Sequence, residues 1–304
     1  MMADWIIVFI LILLLGLISK LVDSTMGLGY GTMSVPLLLI VGYPIERVVP
    51  AVLISEFLSA ALTALFHAIQ GNMRIEQESR DVRVSAVFST LGIIGAFVGV
   101  LIGVTMSELF VTVYVSITII IVGTLVAQGF RWYFSWPKVT IFGFLAALNK
   151  GLSGGGYGPL VAGGQILSGR DGSRAIATTA VAEAIVTAGS WLLYWWFGTA
   201  ILSLESFMEL EIPLLIGSII SAPLSAYLIK VLPHEETTRL VGIAAVILGI
   251  YTLGKTIFGD TISIIITLLV AIASVVAAAV VTLREMQSIS KEKAIDGDET
   301  LPPV

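Results

Sequence analysis

The sequence predicts an all-α polytopic membrane protein made of two inverted repeats. Three observations carry that reading: the composition, apolar runs of membrane-crossing length, and a glycine motif that occurs twice. Of 304 residues, 57% are apolar and 12% charged, and the mean hydropathy is +1.01, far from the balance of a soluble globular domain. The runs 84–104, 109–127, 212–232, 240–258 and 261–283 each reach the roughly 20 residues that about 30 Å of hydrocarbon asks of a helix. Gly27-Leu28-Gly29-Tyr30-Gly31 returns as Gly154-Gly155-Gly156-Tyr157-Gly158, an offset of 127. Without a gap, that offset also sets Gly42 on Gly169, Arg47 on Arg174 and Glu56 on Glu183. Many transporter folds are duplicated in this way.

The first element is a hairpin over 5–42. Its opening apolar stretch is read as retained, because Met1–Trp5 holds no basic residue and no small-residue cleavage site follows. Three glycines in five positions here, and four in five in the second copy, interrupt the helix, since each costs about 1 kcal/mol relative to alanine in a helix interior. Broken backbone at membrane depth is tolerated where it is buried in protein or lines a wet cavity. The break is thus either a tight packing point or a substrate site. Helices over 48–70, 84–104 and 109–128 complete repeat 1 (1–128). Repeat 2 (129–258) reads alike: a hairpin over 138–168, then helices over 174–197, 210–232 and 238–258. Residues 259–283 form an extra transmembrane helix, and the acid-rich 284–304 reads as a disordered cytosolic tail.

Counting Lys and Arg in the loops decides between spanning and re-entrant broken segments. Full crossings divide the basic residues almost evenly. Re-entrant hairpins gather Arg74, Arg80, Arg83, Arg131, Lys138, Arg170, Arg174, Lys230, Arg239, Arg284, Lys291 and Lys293 on one side, leaving Arg47 and Lys255 on the other. That asymmetry selects hairpins, with the N-terminus outside and the C-terminus in the cytosol. A hairpin plus three spans inverts the second repeat, so the glycine loops can meet near the midplane. Trp5, Trp132, Trp136, Trp195 and Trp196 fall at segment ends as interface anchors.

The short helices that start near Thr32 and Pro159 turn unpaired N–H groups and positive dipole ends toward the glycine loops, an arrangement that attracts anions. Candidate substrate-binding residues are Gly27, Gly29, Tyr30 and Gly31 of the first loop and Gly154, Gly155, Gly156 and Tyr157 of the second. Ser24, Thr25, Asn149 and Ser153 add donors. Asp23 and Lys150 occupy matched positions before the glycines, where an ionisable group is a functional hypothesis by default. Lys150 either balances an anion's charge or pairs with Asp23. Glu56 and Glu183 lie mid-helix among apolar neighbours, as proton carriers or as caps on a broken helix. Arg47 and Arg174 open the glutamate helices and are candidate gating residues. The sequence holds no cysteine and two histidines, His67 and His234, which removes disulfides and thiolate or histidine metal sites. No metal, cofactor or nucleic-acid partner is expected. Proton coupling and a homo-oligomer stay open.

The doubled glycine motif, followed in the first half by Ser34-Val35-Pro36-Leu37-Leu38, resembles the TauE/SafE family of sulfite and organosulfonate exporters. The likeness runs over about residues 5–258 and is sharpest over Gly27–Leu38 and Asn149–Leu160. It implies a secondary transporter that moves sulfite, sulfonates such as sulfoacetate, or related small anions outward. The chain departs from the family pattern at Pro159-Leu160, directly after the second glycines, and in its additional ninth segment. A cytosol-negative potential favours anion efflux by about 2.3 kcal/mol per charge per 100 mV, so export needs no coupling ion. The alternatives are a carrier or channel for another small anion or ion-coupled solute, and an intramembrane serine protease. Gly151-Leu152-Ser153-Gly154 matches the Gly-x-Ser-Gly of rhomboid-type proteases, but a nucleophilic serine needs a base within reach, and neither histidine is well placed for it.

Overall fold

The glycine breaks set the element order. The computed structural model describes residues 2–268 except 28, 75–78, 129–135, 168–169, 198–206, 230–233, 260, 262 and 266. Trp132, Gly169, the stretch 269–283 and the tail 284–304 therefore lie outside the described residues. Helix α1 (Met2–Met26) stops at the first glycines and α2 (Tyr30–Val41) follows; α3 is Ile45–Ile69, α4 Arg80–Thr105 and α5 Glu108–Ala127. In the second half α6 (Trp136–Ser153) stops at the second glycines. A π-turn over Pro159–Gly163 leads into the short α7 (Gly164–Leu167), then α8 (Gly172–Trp196). A second π-turn, Phe207–Glu211, opens α9 (Ile212–Leu228), and α10 is His234–Phe258. Among the described residues, six helical stretches are long and apolar enough to cross a membrane: Trp5–Met26, Ile45–Ile69, Arg80–Thr105, Glu108–Leu125, Gly172–Trp196 and Phe207–Leu228. The first hairpin's leading limb is thus itself of spanning length.

Helix ends follow local chemistry. Ser79 caps α4 by accepting from the Val82 N–H, and Asp171 caps α8 by accepting from the Arg174 N–H. Gly42, at φ 108°, closes α2 in the left-handed region that favours glycine. The bundle is held by small residues. Gly95 and Gly99 of α4 stand so close to α6 that a Cβ would come within 2.5 Å of the Phe144 carbonyl and 2.1 Å of the Leu148 carbonyl.

Contacts along three pairs of helices fix their directions. Along α4 and α6, Phe88 meets Gly143, Ala96 meets Gly151, and Gly103 lies by Leu152, so these helices run in parallel. Along α4 and α8, Ser85 donates to the Thr178 carbonyl, Gly92 faces Val186, and Gly103 faces the Tyr194 hydroxyl, again in parallel. The start of α3 (Ile45, Glu46, Val49) lines one cavity with the end of α4 (Gly103, Val104), while Arg74, just past α3, donates its N–H to Asp81 at the start of α4. Helix α3 therefore opposes α4 and α8. Arg80, Arg83, Arg170 and Arg174 share the end at which α4 and α8 begin. Arg47 stands at the opposite end, and so does Lys255, which donates to the Ile40 carbonyl at the end of α2.

Candidate functional site

The two breaks have one backbone conformation. Gly27 and Gly154 both sit at φ 72°, and Gly29 and Gly156 at φ 80° and 79°, values a side chain rarely adopts. Each break closes its helix in the same way. The Gly27 N–H donates to the Asp23 carbonyl at 2.7 Å, and the Gly154 N–H to the Lys150 carbonyl at 2.8 Å. The loops then lie directly on one another. A Cβ on Gly31 would stand 1.7 Å from the Gly154 carbonyl oxygen; its counterpart Gly158 would put one 2.8 Å from the Gly27 carbonyl oxygen and 2.6 Å from the Gly29 nitrogen. One side-chain bridge joins them, from the Gly156 N–H to Thr32 Oγ1 at 2.9 Å. The expected second short helix differs from the first: Pro159, which has no N–H to give, starts a π-turn instead of a regular helix.

The flanking donors point inward in this conformation. Thr25 Oγ1 donates to the Leu21 carbonyl, Asn149 Nδ2 to the Gly155 carbonyl, and Ser153 Oγ to the Asn149 carbonyl. Ser24 Oγ lies 3.4 Å from Thr63 Oγ1. Tyr30 and Tyr157 are fully buried, the first accepting from Ser55 and the second with no partner for its hydroxyl among the described residues. Ser153 Oγ also takes the Gly155 N–H, and none of these contacts is with an acid or a base.

Beside the loops lies a cluster of five buried ionisable side chains. Lys20 donates to Asp23 Oδ2 at 2.5 Å, and Asp23 Oδ1 accepts the Gly29 N–H at 2.9 Å. Lys150 donates to Glu56 Oε2 and, at 3.3 Å, to Glu183 Oε1. Oxygen atoms of Asp23, Glu56 and Glu183 lie within 4.8 Å of one another. The structure therefore pairs Lys150 with the two glutamates and Asp23 with Lys20. The cap on the broken backbone comes from Asp23, not from a glutamate. Lys20 and Asp23 balance one another, whereas Lys150 is shared between the two glutamates.

Residues 12–252 match the family model described as Sulfite exporter TauE/SafE. The chain belongs to this family. It is similar to the Probable membrane transporter protein YtnM of Bacillus subtilis (strain 168), with 26% identity over 246 residues that cover 75% of this chain and 77% of that protein. No solved structure matches. As a TauE/SafE-family membrane transporter, the chain carries its buried charges where two broken helices touch. A cavity of about 150 Å³ lies at the α3-start end, bounded by Val49, Leu152 and Tyr194 and edged by Glu46 and Glu108. Arg47 and Arg174 lie apart from the cluster. Arg47 binds Glu209 at 3.2 Å, beside Tyr43, whose phenol burial and the Glu209 hydrogen bond push up to about 12. Arg174 is exposed in the first turn of α8.

Lys20 is the residue that sequence reading overlooks. Its only signal is a lysine three residues before Asp23 in an apolar helix, a spacing that places both on one face. The repeat offset conceals it, because its counterpart in the second half is Ala147.

Proposed function

We propose that this TauE/SafE-family transporter exports small sulfur-containing anions, sulfite or organosulfonates, by alternating access between two inverted repeats, 1–128 and 129–258. The observation that carries the reading is the matched pair of glycine breaks lying on one another beside the buried lysines. The opposed directions of α3 and α8, the equivalent glutamate helices, support inversion. Support for the second hairpin comes from Arg170, which lies beyond the break and yet binds Asp81 at the end where α4 and α6 start. The gathering of Arg74, Arg80, Arg83, Arg170 and Arg174 at that end supports its placement in the cytosol.

In this mechanism the loops separate to admit the anion. Their glycine N–H groups, the donors of Ser24, Thr25, Asn149 and Ser153, and the Lys150 ammonium then hold it. Asp23, Glu56 and Glu183 govern coupling, and Arg47 and Arg174 act at the two mouths. The membrane potential supplies the driving force for efflux. The test is sulfite efflux from proteoliposomes at a set potential, beside protein-free vesicles. Efflux that saturates, shows counterflow and quickens with a negative interior is the expected result. Efflux equal to that of empty vesicles for sulfite and for sulfonates overturns the proposal.

A further inference from the structure

We propose that Lys150 is the counter-charge of the transported anion and that the Glu56–Glu183 pair takes up one proton for each anion Lys150 accepts. The inference deepens the carrier reading above and rests on it. Its ground is the division of the five charges. Asp23 and Lys20 neutralise one another within α1, and Asp23's other oxygen is taken by the Gly29 N–H. That leaves one lysine to two glutamates, each contributed by the equivalent helix of its own half. With all three ionised the group carries an unbalanced negative charge away from water, which a protein interior does not hold. Glu56 Oε1 is fully buried and meets no donor among the described residues. A proton there gives the oxygen something to donate to the neighbouring carboxylate and brings the group to neutrality.

An anion changes the count. Once it sits on the Lys150 ammonium, both glutamates lose their cation, and neutrality then requires a second proton on the pair. That proton comes from the water phase to which the site is open, and it is released on the other side as the lysine returns to the glutamates. The sulfite dianion therefore still crosses with one net negative charge and responds to the potential, whereas a sulfonate monoanion crosses with none. Among the described residues the rest of the shell does not supply it. From α1 the pair is faced by Lys20 and Asp23, from α2 by Tyr30, and from α6 by Lys150. Past the second break Tyr157 lies within electrostatic reach of Glu183, and α9 brings buried serines, of which Ser218 meets the Ser55 carbonyl. The two ammonium groups take one oxygen of each of the three carboxylates, and the oxygen left over on Glu56 is the place for the proton.

The test is calorimetric titration of the purified full chain with isethionate, a sulfonate that does not titrate near neutrality, in two buffers of different ionisation enthalpy. The expected result is one proton taken up per anion bound, with affinity that falls as pH rises. The Glu56→Gln/Glu183→Gln protein is expected to bind without proton uptake and without that pH dependence. Binding by the wild type with no proton uptake, with or without a sodium requirement, overturns the inference and leaves the carrier reading standing. Uptake that persists in the double variant overturns it too, because the proton then sits elsewhere. If the double variant does not fold, the wild-type proton count decides alone. Binding of neither isethionate nor sulfite overturns the carrier reading, and this inference with it.

Discussion

One turn before its glycines the first break carries an acid, Asp23, and the second carries a base, Lys150, although the two loops share φ values of 72° and about 80°. The backbone of the halves is thus the same where their charge is opposite. A strict duplicate would bring two like charges together in a dry centre, a state that costs several kcal/mol. Divergence at this one pair makes the halves complementary. The first half neutralises its acid internally through Lys20, whereas the second sends its base across to a glutamate from each half. The charge before loop 1 is matched within its own helix, and the charge before loop 2 is shared between two other helices.

The largest effect should come from the shared backbone. Gly31→Ala places a Cβ 1.7 Å from the Gly154 oxygen and should destabilise the protein by more than about 4 kcal/mol, read as loss of a cooperative thermal transition in detergent. Gly164→Ala, where a Cβ meets nothing within 4 Å, should leave that transition in place. Equal behaviour of the two variants would mean that the loops do not touch. Next in size is the charge asymmetry. Lys150→Met strands two glutamates and should cost about 3–5 kcal/mol, partly restored by adding Glu183→Gln. Lys20→Met should cost less, because Asp23 keeps the Gly29 N–H. The reverse order would assign the exchangeable lysine to the first half.

Smaller effects separate the two ends. A double-mutant cycle on Asp81 and Arg170, whose side chains are 6% and 7% exposed, should give a larger coupling than one on Arg47 and Glu209. The latter pair is about a third exposed and should fall in the range of about 0–1 kcal/mol. Smallest is the cap of α8, where Asp171→Ala should cost about 1 kcal/mol. The Ser173 hydroxyl and then the Arg174 N–H hold the Asp171 carboxyl below its ordinary 3.8. The cap's contribution is therefore full above that value and lost as pH falls through the lowered one. Ser79 at α4 has no such dependence, so acid should fray α8 first, visible in hydrogen exchange at the two helix starts.

Much of this was legible in the residues because a 127-residue offset preserves what the backbone needs. The glycines, Tyr30 with Tyr157, and Glu56 with Glu183 recur at matched positions, and the structure brings all of them to one place. The separation of Arg74, Arg80, Arg83, Arg170 and Arg174 from Arg47 and Lys255 followed from loop charge alone. What the sequence concealed lies in pairings between distant helices. Nothing in spacing says that Lys150 reaches Glu56 from 94 positions away rather than its repeat partner Asp23. Lys20 escaped because a repeat comparison reports only what is common to the halves. The π-turn at Pro159 escaped because proline announces a break without stating its pitch.

The contact of Gly31 with Gly154, and of Gly158 with Gly27, is peptide against peptide. When such faces part, they expose amides and carbonyls that belong to the main chain, and no change of side chain can rewrite them. Selectivity lodged there survives drift in every neighbouring residue as long as the glycines remain. On the proposed reading, the surrounding helices are then free to diverge while the loops keep the same main-chain groups for an anion.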